Sequence, residues 1–160
     1  MILSSAAKTL VCIDMQTRFY ASDEVLGPCL EEVDTATGSG NPVILVTFHG
    51  PQDLHPQLLP YLRYEKVYLV DKEDVSGGLE VDQIVRNFDL PTSLRVCGIE
   101  TNCCVKETIL ELLDFQGYHS IEVAAHACAN SGRSPWDRRR NHLKALDELA
   151  KLGVMIQNDH

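Results

Sequence analysis

The stretch Gly98-Ile99-Glu100-Thr101-Asn102-Cys103-Cys104-Val105 marks the point where one hydrophobic period gives way to another. Upstream, Ser93-Leu94-Arg95-Val96-Cys97 reads as a buried strand. Downstream, Val105 to Gln116 places Val105, Ile109, Leu112 and Leu113 on one side of an amphipathic helix, with Gly117 as its stop. The backbone leaves a strand, turns, and starts a helix on a cysteine. The first amides of a helix have no intrahelical partner, and the helix dipole adds partial positive charge there. With Thr101 or Asn102 as N-cap, Cys104 is therefore expected to have a lowered pKa. The same amides suit a developing oxyanion. Successive helical residues point about 100° apart, so Cys103 and Cys104 cannot both face one pocket.

The same alternation runs along the whole chain. Lys8–Asp14 reads as a buried strand closing on a carboxylate. The helix around 25–38 is interrupted by Gly27-Pro28 and is expected to begin at Pro28. Val43–Phe48 and Val67–Lys72 read as further strands, separated by a loop carrying His49, Asp53 and His55 and by a short helical turn from Leu58 to Tyr64, broken at Pro60. A helix over Leu79–Phe88 leads to the fourth strand. Ser120–Ala125 forms a fifth strand, and Ser134-Pro135-Trp136-Asp137 caps a helix reaching about Leu152. Val154–Gln157 is a last short strand. Strands alternating with helices predict an α/β fold, a parallel sheet covered on both faces. At 160 residues, one domain over 1–160 is expected.

A net charge of −9 and a pI near 5.0 argue against nucleic acid or an anionic membrane as partner. The apolar runs are too short to span a bilayer, and the first residues lack the basic and apolar regions of a signal peptide. The six cysteines, at 12, 29, 97, 103, 104 and 128, show neither disulfide nor zinc spacing, which favours a reduced, cytoplasmic setting.

The segment Gly98-Ile-Glu-Thr-Asn-Cys-Cys-Val resembles the nucleophile segment of the isochorismatase-like cysteine hydrolases, the superfamily of nicotinamidases and N-carbamoylsarcosine amidase. Asp14-Met-Gln-Thr-Arg-Phe19 resembles the family's D-x-Q-x-x-F at the end of its first strand. The resemblance implies a three-layer, Rossmann-like fold with a six-stranded parallel sheet in the order 3-2-1-4-5-6. It implies a cysteine hydrolase cleaving a small amide-type C–N bond through a thioester, with Asp14, Lys72 and Cys104 as the triad. Lys66 is the rival to Lys72, which is preferred because catalytic groups of open parallel sheets gather at the carboxyl ends of strands. The order reverses between the first and fourth strands, which independently brings Asp14 and Cys104 to one crevice. The resemblance further implies an oxyanion hole from the amides of Glu100 and Cys104, a cis peptide at Ile99–Glu100, and a substrate pocket including Gln16, Phe19, His49 and Thr101.

The chain also departs from the family. His126-Ala127 stands where an Asp-Ala pair is usual, so the carboxylate that would brace the site is missing or replaced by imidazole. The Phe that usually follows the lysine is absent from Glu73–Leu79. His49, Asp53 and His55 lack the family's metal-ligand spacing, so neither metal nor other cofactor is expected. The expected partner is a small-molecule substrate, and the fold class allows a homodimer or higher homo-oligomer. Two other readings compete. One is a non-catalytic relative that binds a small ligand or a protein partner. The other is a redox-responsive protein built on Cys103-Cys104.

Overall fold

The computed structural model describes residues 7–158. Six parallel strands form one sheet in the order β3-β2-β1-β4-β5-β6. They are β1 (Thr9–Ile13), β2 (Val43–Phe48), β3 (Val67–Lys72), β4 (Ser93–Ile99), β5 (Ser120–Ala129) and β6 (Met155–Gln157). Strands buried on both faces explain the unbroken apolar runs: every residue of β1 and five of the six in β2 are buried. Alternate residues feed two cores. Val11, Ile13, Ile44, Val46, Val96 and Val123 point towards α2 (Gly78–Asn87), α3 (Lys106–Asp114) and α4 (Pro135–Lys151). Leu10, Cys12, Val43, Leu45 and Cys97 point towards α1 (Tyr20–Gly38).

Two elements differ from the sequence expectation. α1 begins at Tyr20, eight residues before Pro28, which lies inside the helix. An interior proline costs about 3 kcal/mol. The helix continues because Val25, Cys29, Val33 and Ala36 form one buried stripe on both sides of the interruption. β5 runs on to Ala129 and takes in His126, because Ala124, Ala125, Ala127 and Cys128 continue the buried pattern. Ser134 caps α4 as expected, accepting a hydrogen bond from the Asp137 amide at 3.1 Å. A 3₁₀ helix (Pro56–Arg63) tolerates Pro60 and packs the buried Leu58 beneath the β2–β3 connection.

Gly98 fixes the approach of the two central strands. Its φ is +115°, and a Cβ there would lie 2.1 Å from the Ile13 carbonyl oxygen. Only glycine allows this approach. Immediately beyond it, Asp14 leaves β1 with φ +56° while its amide still donates to the Val46 carbonyl at 2.8 Å. Asp is among the residues that tolerate this left-handed conformation. The pairing of β4 with β5 also shifts register between Val96 and Gly98. The strand ends are thus held close at the point where the sheet order reverses.

Candidate active site

Three strands deliver three side chains to this point. Asp14 follows β1, Lys72 ends β3, and Cys104 lies in a single π-helical turn (Thr101–Val105) between β4 and α3. Lys72 Nζ lies 3.3 Å from Asp14 Oδ2 and 3.4 Å from Cys104 Sγ. Its third hydrogen bond goes to the Asp74 carbonyl at 3.1 Å, so all three ammonium donors are engaged. The Phe48 ring faces the same ammonium at 3.8 Å, a cation–π contact. Lys72 is wholly buried, Asp14 is 2% exposed and Cys104 9%. Lys66, the sequence rival, is exposed at the other end of β3, where it donates to the Gly40 carbonyl.

The electrostatics correct one expectation. Cys104 was expected to have a lowered pKa. Instead burial pushes its thiol well above the ordinary range, and the neighbouring Asp14 carboxylate adds to the rise; Lys72 pulls the other way and does not win. The helix start does not rescue the thiolate, because the sulfur sits where water is largely excluded and one negative charge is already present. Burial also raises Asp14, opposed by Lys72 and by the thiol of Cys104. Burial thus favours the protonated thiol of Cys104 at rest. Asp14 Oδ1 is buried and has no hydrogen-bond partner among the described residues.

The segment around Cys104 also differs in how it is capped. Glu100, not Thr101 or Asn102, occupies the N-cap position, with no side-chain cap. The Ile99–Glu100 peptide is cis. The Cys103 and Val105 amides both donate to the Glu100 carbonyl, at 3.0 and 3.1 Å. Two residues that sequence reading missed hold this turn from β5 and its exit. Asn130 Oδ1 accepts from the Asn102 amide at 3.0 Å, and the Ser131 amide and hydroxyl both donate to Glu100 Oε1. His126 does not brace the site. Its Nε2 lies 3.1 Å from Glu32 on α1, on the other side of the sheet.

The residues expected to line a substrate pocket divide. Gln16 is fully buried and spends its amide on the loop after β2: Nε2 donates to the Phe48 and Gly50 carbonyls and to Asp53 Oδ1, and Oε1 accepts from the Phe48 amide at 2.7 Å. It clamps the backbone that carries Phe48 over Lys72. Thr101 is buried against His142, 2.7 Å from its Nδ1. Phe19 is half-buried, 6.5 Å from the Phe48 ring, and the exposed His49 lies tilted against Phe48 at 3.9 Å. Phe48 thus supplies an aromatic wall from β2 where the family's Phe after the lysine is lacking. The signal for it was its place at the end of a strand in register with Lys72. His55 is buried and pairs with Ser22 Oγ at 2.7 Å, away from His49.

A buried Asp–Lys–Cys constellation thus sits at the reversal point of a 3-2-1-4-5-6 parallel α/β sheet. Residues 8–158 match the isochorismatase domain, and the chain belongs to the isochorismatase family of hydrolases. Isochorismatase domain-containing protein 2 of Xenopus laevis is 31% identical over 159 residues, covering 96% of this chain and 73% of the frog protein. The rat protein of the same name is 32% identical over 113 residues, which cover 71% of this chain and half of the rat protein. In architecture the chain is similar to a nicotinamidase from Staphylococcus aureus, with a TM-score of 0.80 at 15% identity over 96% of this chain and 98% of that one. That likeness is one of fold.

Among the described residues no helix is long and apolar enough to cross a membrane.

Proposed function

We propose that this protein is a small amidohydrolase in which Cys104 is the nucleophile, Asp14 the proton carrier and Lys72 the group that holds both in place. The observation that carries this is the Lys72 ammonium, 3.3 Å from the carboxylate and 3.4 Å from the sulfur in a site almost closed to water. Asp14 takes the thiol proton as the sulfur attacks the carbonyl carbon, so full thiolate charge forms only as the C–S bond does. The unpartnered Asp14 Oδ1 offers a lone pair for that proton. The carbonyl electrons move onto oxygen, which the backbone amides of Glu100 and Cys104 hold; one such donor typically contributes about 10²–10³ in rate. The tetrahedral species collapses, the C–N bond breaks, and Asp14 returns the proton to the leaving amine. Water, deprotonated by Asp14, then hydrolyses the thioester and frees the thiol. Aromatic contacts from Phe48 and Phe19 suit a small, flat or apolar acyl group.

The experiment is ammonia release from a panel of small aliphatic and aromatic amides. At least one amide should turn over with wild type and not with Asp14→Asn or Cys104→Ala. Equal release by those variants would remove the reading. The near closure of the site, with Cys104 only 9% exposed, favours a second reading, a non-catalytic binder of a small ligand or protein partner. Saturable binding of panel compounds with no ammonia release would select it.

A further inference from the structure

Three thiols that this mechanism does not use meet in the core beneath α1. Cys12 in β1 is the register partner of Cys97 in β4, so both leave the same face of the sheet. Cys29 descends from the buried stripe of α1. The three sulfurs lie within 4.8 Å of one another, and none of the three residues is more than 1% exposed. All three are free thiols.

We propose that this triangle is a binding site for one soft, thiophilic d¹⁰ cation, held by the thiolates of Cys12, Cys29 and Cys97. Sulfurs bound at about 2.3 Å to one such ion lie roughly 3.8–4.0 Å apart. The present spacing, 4.8 Å at most, therefore needs to contract by less than about 1 Å. The donor set is all sulfur, which selects copper(I), zinc or cadmium over hard oxygen-seeking ions. No imidazole or carboxylate belongs to it. The Cys29 thiol donates to the Ala127 carbonyl at 3.3 Å. Loading a divalent ion converts three thiols to thiolates, releases three protons and changes no oxidation state. Proton release makes affinity rise with pH. Because the triangle is sealed, the ion enters during folding, and binding adds to the stability of the fold. The sequence expectation of no metal rested on spacing along the chain, which these residues, distant in sequence, do not satisfy.

The test uses the full chain carrying Cys103→Ser and Cys104→Ser, so that the adjacent pair outside the triangle cannot compete. The protein is unfolded with a phosphine reductant, refolded with one equivalent of cadmium(II), and desalted. The expected result is one retained cadmium per chain, a thiolate-to-metal charge-transfer band, and a higher melting temperature than the metal-free chain. In Cys29→Ala, and separately in Cys97→Ala, the retained cadmium falls to background. Should those variants fail to fold, cadmium NMR of the parent chain counts the sulfur ligands directly, and should refolding fail, growth in cadmium-supplemented medium loads the same chain. A natively folded parent with no cadmium, cadmium kept equally in Cys29→Ala, or a resonance showing fewer than three sulfurs would each overturn the site.

Discussion

Two places in this molecule bury charge, and they do so differently. In the half of the sheet away from Cys104, Arg95 pairs with Glu32 at 2.6 Å and with Glu122 at 3.3 Å, Lys8 pairs with Glu122 at 2.7 Å, and His126 meets Glu32 at 3.1 Å. Lys8, Glu32, Arg95 and His126 border a cavity of about 440 Å³ also lined by Leu10, Thr35 and Asn41. Each carboxylate there is shared between two basic groups, and Lys8 keeps 38% of its side chain in water. At the carboxyl ends of the strands a single, wholly buried ammonium serves one carboxylate and one thiol, and one carboxylate oxygen is left without a partner. In the first arrangement every carboxylate is held by two basic partners. The second holds a raised thiol beside a raised carboxyl, with one buried carboxylate oxygen open to a proton.

The largest effect that would sharpen this contrast is on turnover. Cys104→Ala should lower the rate on any amide found by screening by at least about 10³-fold while melting like wild type, since in the proposed mechanism it removes the nucleophile and not the binding surface. Cys103→Ala should stay near wild type in both. Next comes stability. Lys72→Met leaves the Asp14 carboxylate buried and uncompensated, so chemical denaturation at neutral pH should show a loss of about 3–5 kcal/mol, recovered in part by adding Asp14→Asn. If Lys72→Met were neutral and Arg95→Met severe, the roles assigned to the two clusters would be reversed.

The pH dependence follows from the same difference. Burial holds the folded pKa of Asp14 above its unfolded value, so its contribution to stability is full below the unfolded value of about 3.9 and is lost as pH rises through the folded one. In the proposed mechanism Asp14 acts as base only when ionised. The acidic limb of kcat/KM should therefore fall above the ordinary aspartate range, and Glu122→Gln should leave it in place. For Cys104 the raised folded pKa gives stability that is full below about 8.5 and declines as pH rises further; alkaline melts of Cys104→Ala should show a shallower decline than wild type. The smallest effect belongs to Lys8→Ala. This pair is more than a third exposed on the lysine side, and its removal should cost no more than about 1 kcal/mol.

The sheet was legible because strands buried on both faces announce themselves as unbroken apolar runs, and the connections between them carry helical periods. Its order came from the resemblance at Asp14–Phe19 and Gly98–Val105, not from periodicity. Positions within one chain segment were harder wherever tertiary packing overrode a local signal. Pro28 reads as a helix start, yet the buried stripe through Val25 and Cys29 carries α1 past it. The burial of Cys104 overturned its expected acidity, because a helix start predicts a field but not how much water the field shares the site with. Gln16 matched the motif, but only the folded chain shows that its side-chain amide is engaged by the loop after β2. Asn130 and Ser131 carried no motif at all. The triangle of Cys12, Cys29 and Cys97 becomes visible once β1 is placed beside β4 with these cysteines in register, a fact of topology and not of spacing.

The most direct measurement is of the covalent intermediate. With an amide that releases ammonia, rapid acid quench followed by intact mass and peptide mapping should find an acyl adduct, substrate minus its amine, on Cys104 of wild type and of Cys103→Ala, and none on Cys104→Ala. An adduct on Cys103, together with continued turnover by a natively folded Cys104→Ala, would contradict the assignment of Asp14, Lys72 and Cys104 as the working triad.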